Sequence, residues 1–199
     1  MAMTDEEYML RAVELAKKGT GWTNPNPLVG AVIVKGGRII GEGYHKKYGG
    51  LHAEREALAS ANEDVSGATI YVTLEPCCHY GKQPPCVNAI IEAGIKRVVI
   101  GSYDPNPLVA GKGVDILREH NITVDDKLVC SEECKSLNYV FFNYIKEKKP
   151  YVILKYAQSL DGKIATHTGL SQWITGETAR NKVHMDRHRY SAEIGRAHV

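Results

Sequence analysis

The chain has 199 residues, 43% of them hydrophobic and 24% charged, with a formal net charge of +2. That length can bury a full core and leaves room for one domain plus part of a second, in a composition ordinary for a soluble globular protein. The small net charge gives no electrostatic case for nucleic acid or a membrane surface, and no apolar run approaches the ~20 residues of a membrane span.

The first residues, Met1-Ala-Met-Thr-Asp-Glu-Glu7, are acidic and carry no export signal, so a cytoplasmic location is expected. Of 5 cysteines, Cys77, Cys78 and Cys86 cluster, while Cys130 and Cys134 stand apart. An odd number, clustered and without an export signal, favours metal over disulfides.

In chain order, Thr4 and Glu7 form a capping box that opens a helix. Its apolar positions are Tyr8, Met9, Ala12, Leu15 and Ala16, and Gly19 stops it. Residues 21–27 are a rigid loop, because each proline restricts the residue before it. An apolar strand over 28–34, a turn at Gly36-Gly37 and a return over 38–43 read as a β-hairpin. A helix follows over 53–61, a buried strand over 68–74, and a helix over 86–93 ended by Gly94. Then come a strand over 97–101, a turn at 104–107, a helix over 113–120 and a short strand over 122–125. Ser131 is expected to cap one further helix carrying Leu137, Val140 and Phe141. Strands separated by helices imply parallel crossovers, hence an α/β fold with a mixed sheet covered on both faces.

Lys146 to Pro150, charged and then a proline, is the expected linker, giving domains at 1–146 and from 151 onward. A new strand over 151–157 opens the second part, which is too short for an independent core and reads as a truncated domain ending near 192. Unpaired, that strand would expose an apolar edge.

The chemistry concentrates in residues 52–54 (His-Ala-Glu) and 73–86. His52, Cys77 and Cys86 are three soft ligands, and Glu54 lies two residues after the histidine. A catalytic zinc site needs three protein ligands, an open fourth position for water and a nearby base. His52 and Cys86 fall at expected helix starts, where the positive helix end favours a thiolate. The arrangement matches the zinc-deaminase pattern H-x-E then P-C, with Glu54 as general acid and base. It departs in the second half: eight residues, 78–85, lie between the cysteines instead of two. That insert brings His79 and Lys82, and a cationic Lys82 suits an anionic or carbonyl-rich substrate. The alternative is a closed structural zinc site with Cys78 or His79 as fourth ligand. Adjacent cysteines rarely both ligate one metal, and such a site has no use for Glu54.

With these residues in hand, the chain closely resembles the bifunctional riboflavin-biosynthesis deaminase/reductase family, over residues 3 to about 192. Matching stretches include Asn26-Pro-Leu-Val-Gly30, Gly43-Tyr-His45, His52-Ala-Glu54, Thr73-Leu-Glu-Pro-Cys77, Pro84-Pro-Cys86 and Asp104 to Gly111. The resemblance implies a three-layer α/β/α cytidine-deaminase-like domain, then the start of a dihydrofolate-reductase-like domain. It implies zinc-dependent removal of the 2-amino group of 2,5-diamino-6-(5-phosphoribosylamino)pyrimidin-4(3H)-one, giving the corresponding uracil. By position, His52, Cys77 and Cys86 bind Zn2+, Glu54 shuttles protons, and Asn26, His45, Ala53, His79, Lys82 and Asn106 contact the substrate. In the second domain Ala157 and Trp173 would touch NADPH, and Ser171 and Arg187 the ribosylaminouracil substrate. Most of that nucleotide site would lie further on, so no reductase activity is expected from these residues. The full-length protein is expected to be a homo-oligomer acting on a small molecule, with no nucleic acid or membrane partner. Cys78 and Gln83 stand where the family usually has serine and threonine; neither position is a ligand there.

Other readings stay open for the contacts: His45 as an exposed loop histidine, Lys82 as a solvated lysine, Asn26 and Asn106 as turn residues. Cys130 and Cys134 are better explained by packing. Residues 193–199 do not continue the family's strand and read as a non-native tail. The competing functions are a cytidine, deoxycytidylate or nucleic-acid base deaminase, and a structural zinc module without catalysis.

Overall fold

The computed structural model describes residues 3–107 and 109–195; Leu108 of the 104–111 motif and residues 196–199 of the expected tail lie outside them. The chain divides into two compact units after Lys149.

In the first unit, helix α1 (Asp5–Lys17) begins at the expected capping box. The Thr4 side chain accepts from the Glu7 N–H, and the Glu7 carboxylate accepts from the Thr4 N–H. Strands β1 (Gly30–Lys35) and β2 (Arg38–Tyr44) form the antiparallel hairpin. Then α2 (Ala53–Ala59), β3 (Thr69–Val72), α3 (Cys86–Glu92), β4 (Arg97–Ile100), α4 (Lys112–Glu119) and β5 (Thr123–Asp125) alternate along the chain. The five strands pair in the order β2-β1-β3-β4-β5, antiparallel from β2 to β3 and parallel from β3 to β5. Helix crossovers make the parallel half, as the sequence reading expects.

Side-chain alternation along each strand builds the two cores. Ala31, Ile33, Ile70, Val72, Val98 and Ile100 point to the face covered by α2, α3 and α4, where Ala57, Ile90 and Leu117 are buried. Val32, Val34, Tyr71 and Val99 point to the other face, under α1 and α5 (Ser131–Leu137), against Met9, Ala12 and Cys134. The result is the three-layer α/β/α sandwich. Gly43 is needed where α2 crosses β2, because a Cβ there would strike the backbone of Ala53 and Ala57. That close approach seats the helix whose first turn carries His52 and Glu54.

The structure differs from the sequence reading at three places. Ser131 does not cap α5: Cys130 occupies the N-cap in the left-handed region (φ 53°), which places Ser131 Oγ inside the first turn, buried without a hydrogen-bond partner. The single helix expected there is two, with α6 (Tyr139–Glu147) starting after Asn138. Asn138 leaves helical geometry (φ −123°) because its amide clamps Leu28, accepting from the Leu28 N–H at 2.7 Å and donating to the Leu28 carbonyl at 2.7 Å. Finally, residues 151–157 form no strand. A strand needs a hydrogen-bonded neighbour, and Val152 and Leu154 are each 82% exposed. The described part of the second unit contains one helix, α7 (Glu177–Arg189), with no buried residue.

At the rim of the first unit, Arg97 on β4 binds Asp5 of α1 and Asp125 of β5, and the Tyr71 hydroxyl donates to Asp5. The Asp5 carboxyl is held below its ordinary 3.8, chiefly by the hydrogen bond from Arg97. The folded chain therefore binds that proton less readily than the unfolded one. The stabilisation is present above the unfolded value and is lost as pH falls through the lower folded value. Replacing Arg97 by Met is expected to cost about 1 kcal/mol at neutral pH, allowing for solvent screening of this half-exposed network. In urea titrations the gap between Arg97→Met and wild type should narrow below about pH 4.

Candidate active site

Three chain segments meet at one end of the sandwich. His52 is the N-cap of α2, with extended backbone (φ −75°, ψ 161°). Cys86 is the first residue of α3, after Pro85 at its N-cap. Cys77 lies in the loop leaving β3, and the start of α3 is folded onto it: Cys86 N–H points at Cys77 Sγ (3.4 Å) and Val87 N–H at the Cys77 carbonyl (3.3 Å). Two N–H groups that a helix end leaves unpaired are thus used to hold a sulfur and its backbone.

His52 Nδ1 is 3.3 Å from Cys86 Sγ and 3.5 Å from Cys77 Sγ, and the three potential ligand atoms all lie within 4.8 Å of one another. Their proton affinities are distorted together. Cys77 is pulled down to about 4, first by its hydrogen bond with Cys86 and then, against burial, by His52. Cys86 is pushed well up because it keeps the proton it shares with Cys77. His52 is raised by its bond to Cys77. Three electron-pair donors therefore face one another and share protons at a point where a cation would replace them. Zinc suits this set: bonds of about 2.3 Å to sulfur and about 2.0 Å to nitrogen at the tetrahedral angle separate ligand atoms by about 3.5 Å.

Glu54, in the first turn of α2, is 3% exposed. Burial, then the negative charge of Cys77, pushes its carboxyl up to about 7, against a smaller downward pull from the Cys86 thiol beside it. It stands beside the donor cluster as a carboxyl able to hold or release a proton near neutrality.

The other expected contacts are placed as follows. His45 is buried, not an exposed loop residue; it is 3% exposed. Its Nδ1 donates to the Leu51 carbonyl (2.9 Å), which leaves Nε2 to accept from Asn26 Nδ2 (3.2 Å). Burial lowers its proton affinity, and its ring packs edge-on against His52 at 5.4 Å. Asn26, His45 and His52 are thus linked in series. Ala53 is buried at the start of α2. In the insert, His79 and Lys82 are exposed; Lys82 Nζ lies 4.1 Å from the Tyr48 ring centre, and Gln83 Nε2 donates to the Gly49 carbonyl (3.1 Å). The insert is therefore pinned to the 44–51 loop. Asn106 N–H donates to Asp104 Oδ1 (2.8 Å), so the turn reading holds for its backbone, and Asp104 feels the charges of both His79 and Cys77. In the second unit, Arg187 pairs with Glu193, and the Trp173 ring lies 4.4 Å from the Arg180 guanidinium. Neither contact involves Ala157 or Ser171.

Two residues were not singled out from sequence. Asn138 holds the backbone just after Asn26-Pro27 across a separation of 110 residues, which no local pattern announces. Glu75 lies inside the Thr73-to-Cys77 motif, and the signal for it was the placement of a charge in a run of buried residues.

A mixed-sheet α/β/α sandwich with a His/Cys/Cys cluster at two helix starts and a buried glutamate beside it defines the class of zinc-dependent, cytidine-deaminase-like proteins. The family described as "Cytidine and deoxycytidylate deaminase zinc-binding region" matches residues 2–102. The chain belongs to that family. The RibD C-terminal domain matches residues 150–195. The riboflavin biosynthesis protein RibD of Actinobacillus pleuropneumoniae is 62% identical over 190 residues, 96% of this chain and 50% of that protein. The RibD protein of Aquifex aeolicus is 55% identical over 190 residues, 96% of this chain and 53% of that protein. The crystal structure of a diaminohydroxyphosphoribosylaminopyrimidine deaminase/5-amino-6-(5-phosphoribosylamino)uracil reductase from Thermotoga maritima superposes with a TM-score of 0.89 at 57% identity, covering 94% of this chain and 54% of that one. The chain thus spans about half the length of the relatives it matches.

If the cluster is the zinc site, purified protein should hold about one zinc per chain by atomic absorption. Cys77→Ala, Cys86→Ala and His52→Ala should each lose most of it, whereas Cys78→Ser should bind like wild type.

Proposed function

We propose that this chain is the deaminase part of a riboflavin-biosynthesis enzyme. It hydrolyses 2,5-diamino-6-(5-phosphoribosylamino)pyrimidin-4(3H)-one to 5-amino-6-(5-phosphoribosylamino)uracil and ammonia. The observation that carries the reading is the buried Glu54 beside the convergent donors of His52, Cys77 and Cys86. The 57% identity to a solved protein described as that deaminase and reductase supports the substrate.

His52, Cys77 and Cys86 would hold zinc, which when bound supplies a Lewis acid that lowers the pKa of water toward neutrality. Glu54 takes a proton from the attacking water and delivers it to the leaving amino nitrogen. The water oxygen first bonds to the ring carbon as a proton reaches the adjacent ring nitrogen. The C–N bond then breaks as the hydroxyl proton passes to the amino nitrogen, leaving the carbonyl and ammonia. Burial of Glu54 keeps its carboxyl near the pH at which it can serve both steps. Asn26, Ala53, His79, Lys82 and Asn106 are the candidate contacts to the pyrimidine nucleotide, the cationic Lys82 suiting an anionic or carbonyl-rich part of it. His45 has both ring nitrogens engaged, so it meets substrate only by exchanging its bond to Asn26 or Leu51.

The matched reductase segment contributes Ala157 and Trp173 toward NADPH and Ser171 and Arg187 toward the second substrate in a full-length protein. These residues alone are expected to oxidise no NADPH. The proposal includes a cytoplasmic location, a homo-oligomer for the full-length protein, and a small molecule rather than nucleic acid as partner. The net charge of +2 agrees with that last choice.

The test is ammonia release from the diaminopyrimidine nucleotide by zinc-loaded protein. Glu54→Gln should keep the metal and lose about 10²–10⁴-fold in kcat, the usual worth of a general acid and base. Wild type that holds zinc but releases no ammonia sinks the proposal. Ammonia from cytidine or deoxycytidylate instead would favour a nucleoside or nucleotide deaminase.

A further inference from the structure

Near the His52/Cys77/Cys86 donor cluster, the carboxylate held by several backbone N–H groups is Glu75, not Glu54. Glu75 is 3% exposed, and its own N–H donates to the Ser102 carbonyl at 2.9 Å. Its Oε2 accepts from Gly111 N–H (3.0 Å), and its Oε1 accepts from Gly113 N–H (3.1 Å) and Val114 N–H (3.4 Å). The Asp104 N–H also draws its proton affinity down.

These donors identify what the carboxylate does. Helix α4 starts after Gly111, which sits at the N-cap in the left-handed region (φ 84°) and has no side chain to cap with. An α-helix leaves its first N–H groups unpaired, and an acidic group there is favoured by both hydrogen bonding and the helix dipole. Glu75 supplies the missing cap from another segment. Space is kept for it: a Cβ on Gly113 would collide with the Pro76 carbonyl and lie 3.2 Å from Glu75 Oε1. All three partners are donors, so the group must be an acceptor at both oxygens. A glutamine would turn its NH₂ toward at least one N–H and leave a buried donor unpaired.

The helix start held this way is tied to Asn106, whose carbonyl accepts from the Val109 and Ala110 N–H groups, and Asp104 is near enough to sense Cys77 and His79. Two residues after Glu75 comes Cys77 itself. We infer that Glu75 is a positioning residue for the reaction: by binding the backbone at the start of α4, it fixes Asn106 relative to Cys77 and so sets where the substrate lies. This inference rests on the proposed deamination. Glu75 is not one of the convergent donors His52, Cys77 and Cys86, so its removal acts through Asn106.

The experiment uses the zinc-loaded 199-residue chain. Ammonia-release kinetics on the diaminopyrimidine nucleotide are measured for wild type, Glu75→Gln, Glu75→Asp, Asn106→Ala and the double variant Glu75→Gln/Asn106→Ala. Zinc content and amide hydrogen exchange over residues 109–114 are measured alongside. Glu75→Gln should keep its zinc, raise KM about tenfold, leave kcat within about threefold, and speed exchange at Gly111, Gly113 and Val114. Glu75→Asp, which keeps two acceptor oxygens, should recover part of the KM. The double variant should be no worse than the weaker single one, because both remove the same contact. Unchanged KM in Glu75→Gln overturns the inference, as do multiplying effects in the double variant. Loss of zinc with a fall in kcat at constant KM also overturns it, since Glu75 would then serve only the Cys77 loop. Should Glu75→Gln fail to fold, the same readouts on Glu75→Asp decide. A wild type that releases no ammonia marks failure of the proposed reaction, whereas an active wild type with an indifferent Glu75 marks failure of this inference alone.

Discussion

Everything at the functional end depends on bringing three electron-pair donors from distant segments within 4.8 Å of one another. Without a cation this is costly, because two sulfurs and an imidazole that face each other can only share protons. The fold meets the cost with helix ends. His52 and Cys86 start α2 and α3, and the N–H groups of Cys86 and Val87 turn onto Cys77. The positive potential of a helix start favours the thiolate form that a metal requires. The sheet then only has to place two helix starts and one loop at the same end. A parallel β3–β4 pair with crossover helices does this as a matter of topology, since ligands gather beyond the carboxyl ends of such strands.

Around that cluster the structure is a set of ties between loops. Asn138 holds Leu28, which steadies the Asn26 loop; Asn26 bonds His45, and the His45 ring packs on His52. Arg55 donates to the Pro85 carbonyl just before Cys86, at 3.1 Å. Gln83 bonds Gly49, closing the insert onto the loop that follows β2. Loops at an active site are ordinarily the mobile part of a fold. Here each is tied by a side-chain hydrogen bond to another segment, which lets irregular backbone hold a fixed position.

What could be read from the residues is what is local. The capping box at Thr4 and Glu7, the alternating strands and the His-x-Glu spacing at a helix start involve neighbours a few positions apart, and the structure has each of them. Two of the three misreadings are non-local. Apolar spacing runs straight through Asn138, so one long helix was the reasonable expectation; the bond to Leu28, 110 residues away, breaks it. Ser131 has the right chemistry for a cap, but Cys130 takes the N-cap geometry and the hydroxyl is left inside the turn. Residues 151–157 have strand-like composition and no strand, since propensity cannot supply the neighbouring backbone a ladder needs. Val152 and Leu154, each 82% exposed, show the consequence.

Two glutamates make the point that environment, not residue type, assigns a role. Glu54 and Glu75 are both 3% exposed, and burial pushes both carboxyls upward. At Glu75 backbone N–H groups pull the other way, from Asp104, Gly111, Gly113 and Val114, so its lone pairs are consumed in holding the chain. At Glu54 the next largest influence is the negative charge of Cys77, which pushes the same way as burial and brings it to about 7. Replacing the shared protons of the cluster by a cation would remove that push and draw the Glu54 proton off more easily. A carboxyl whose proton affinity changes with the charge beside it can move a proton. One saturated by backbone donors can only hold its partners in place.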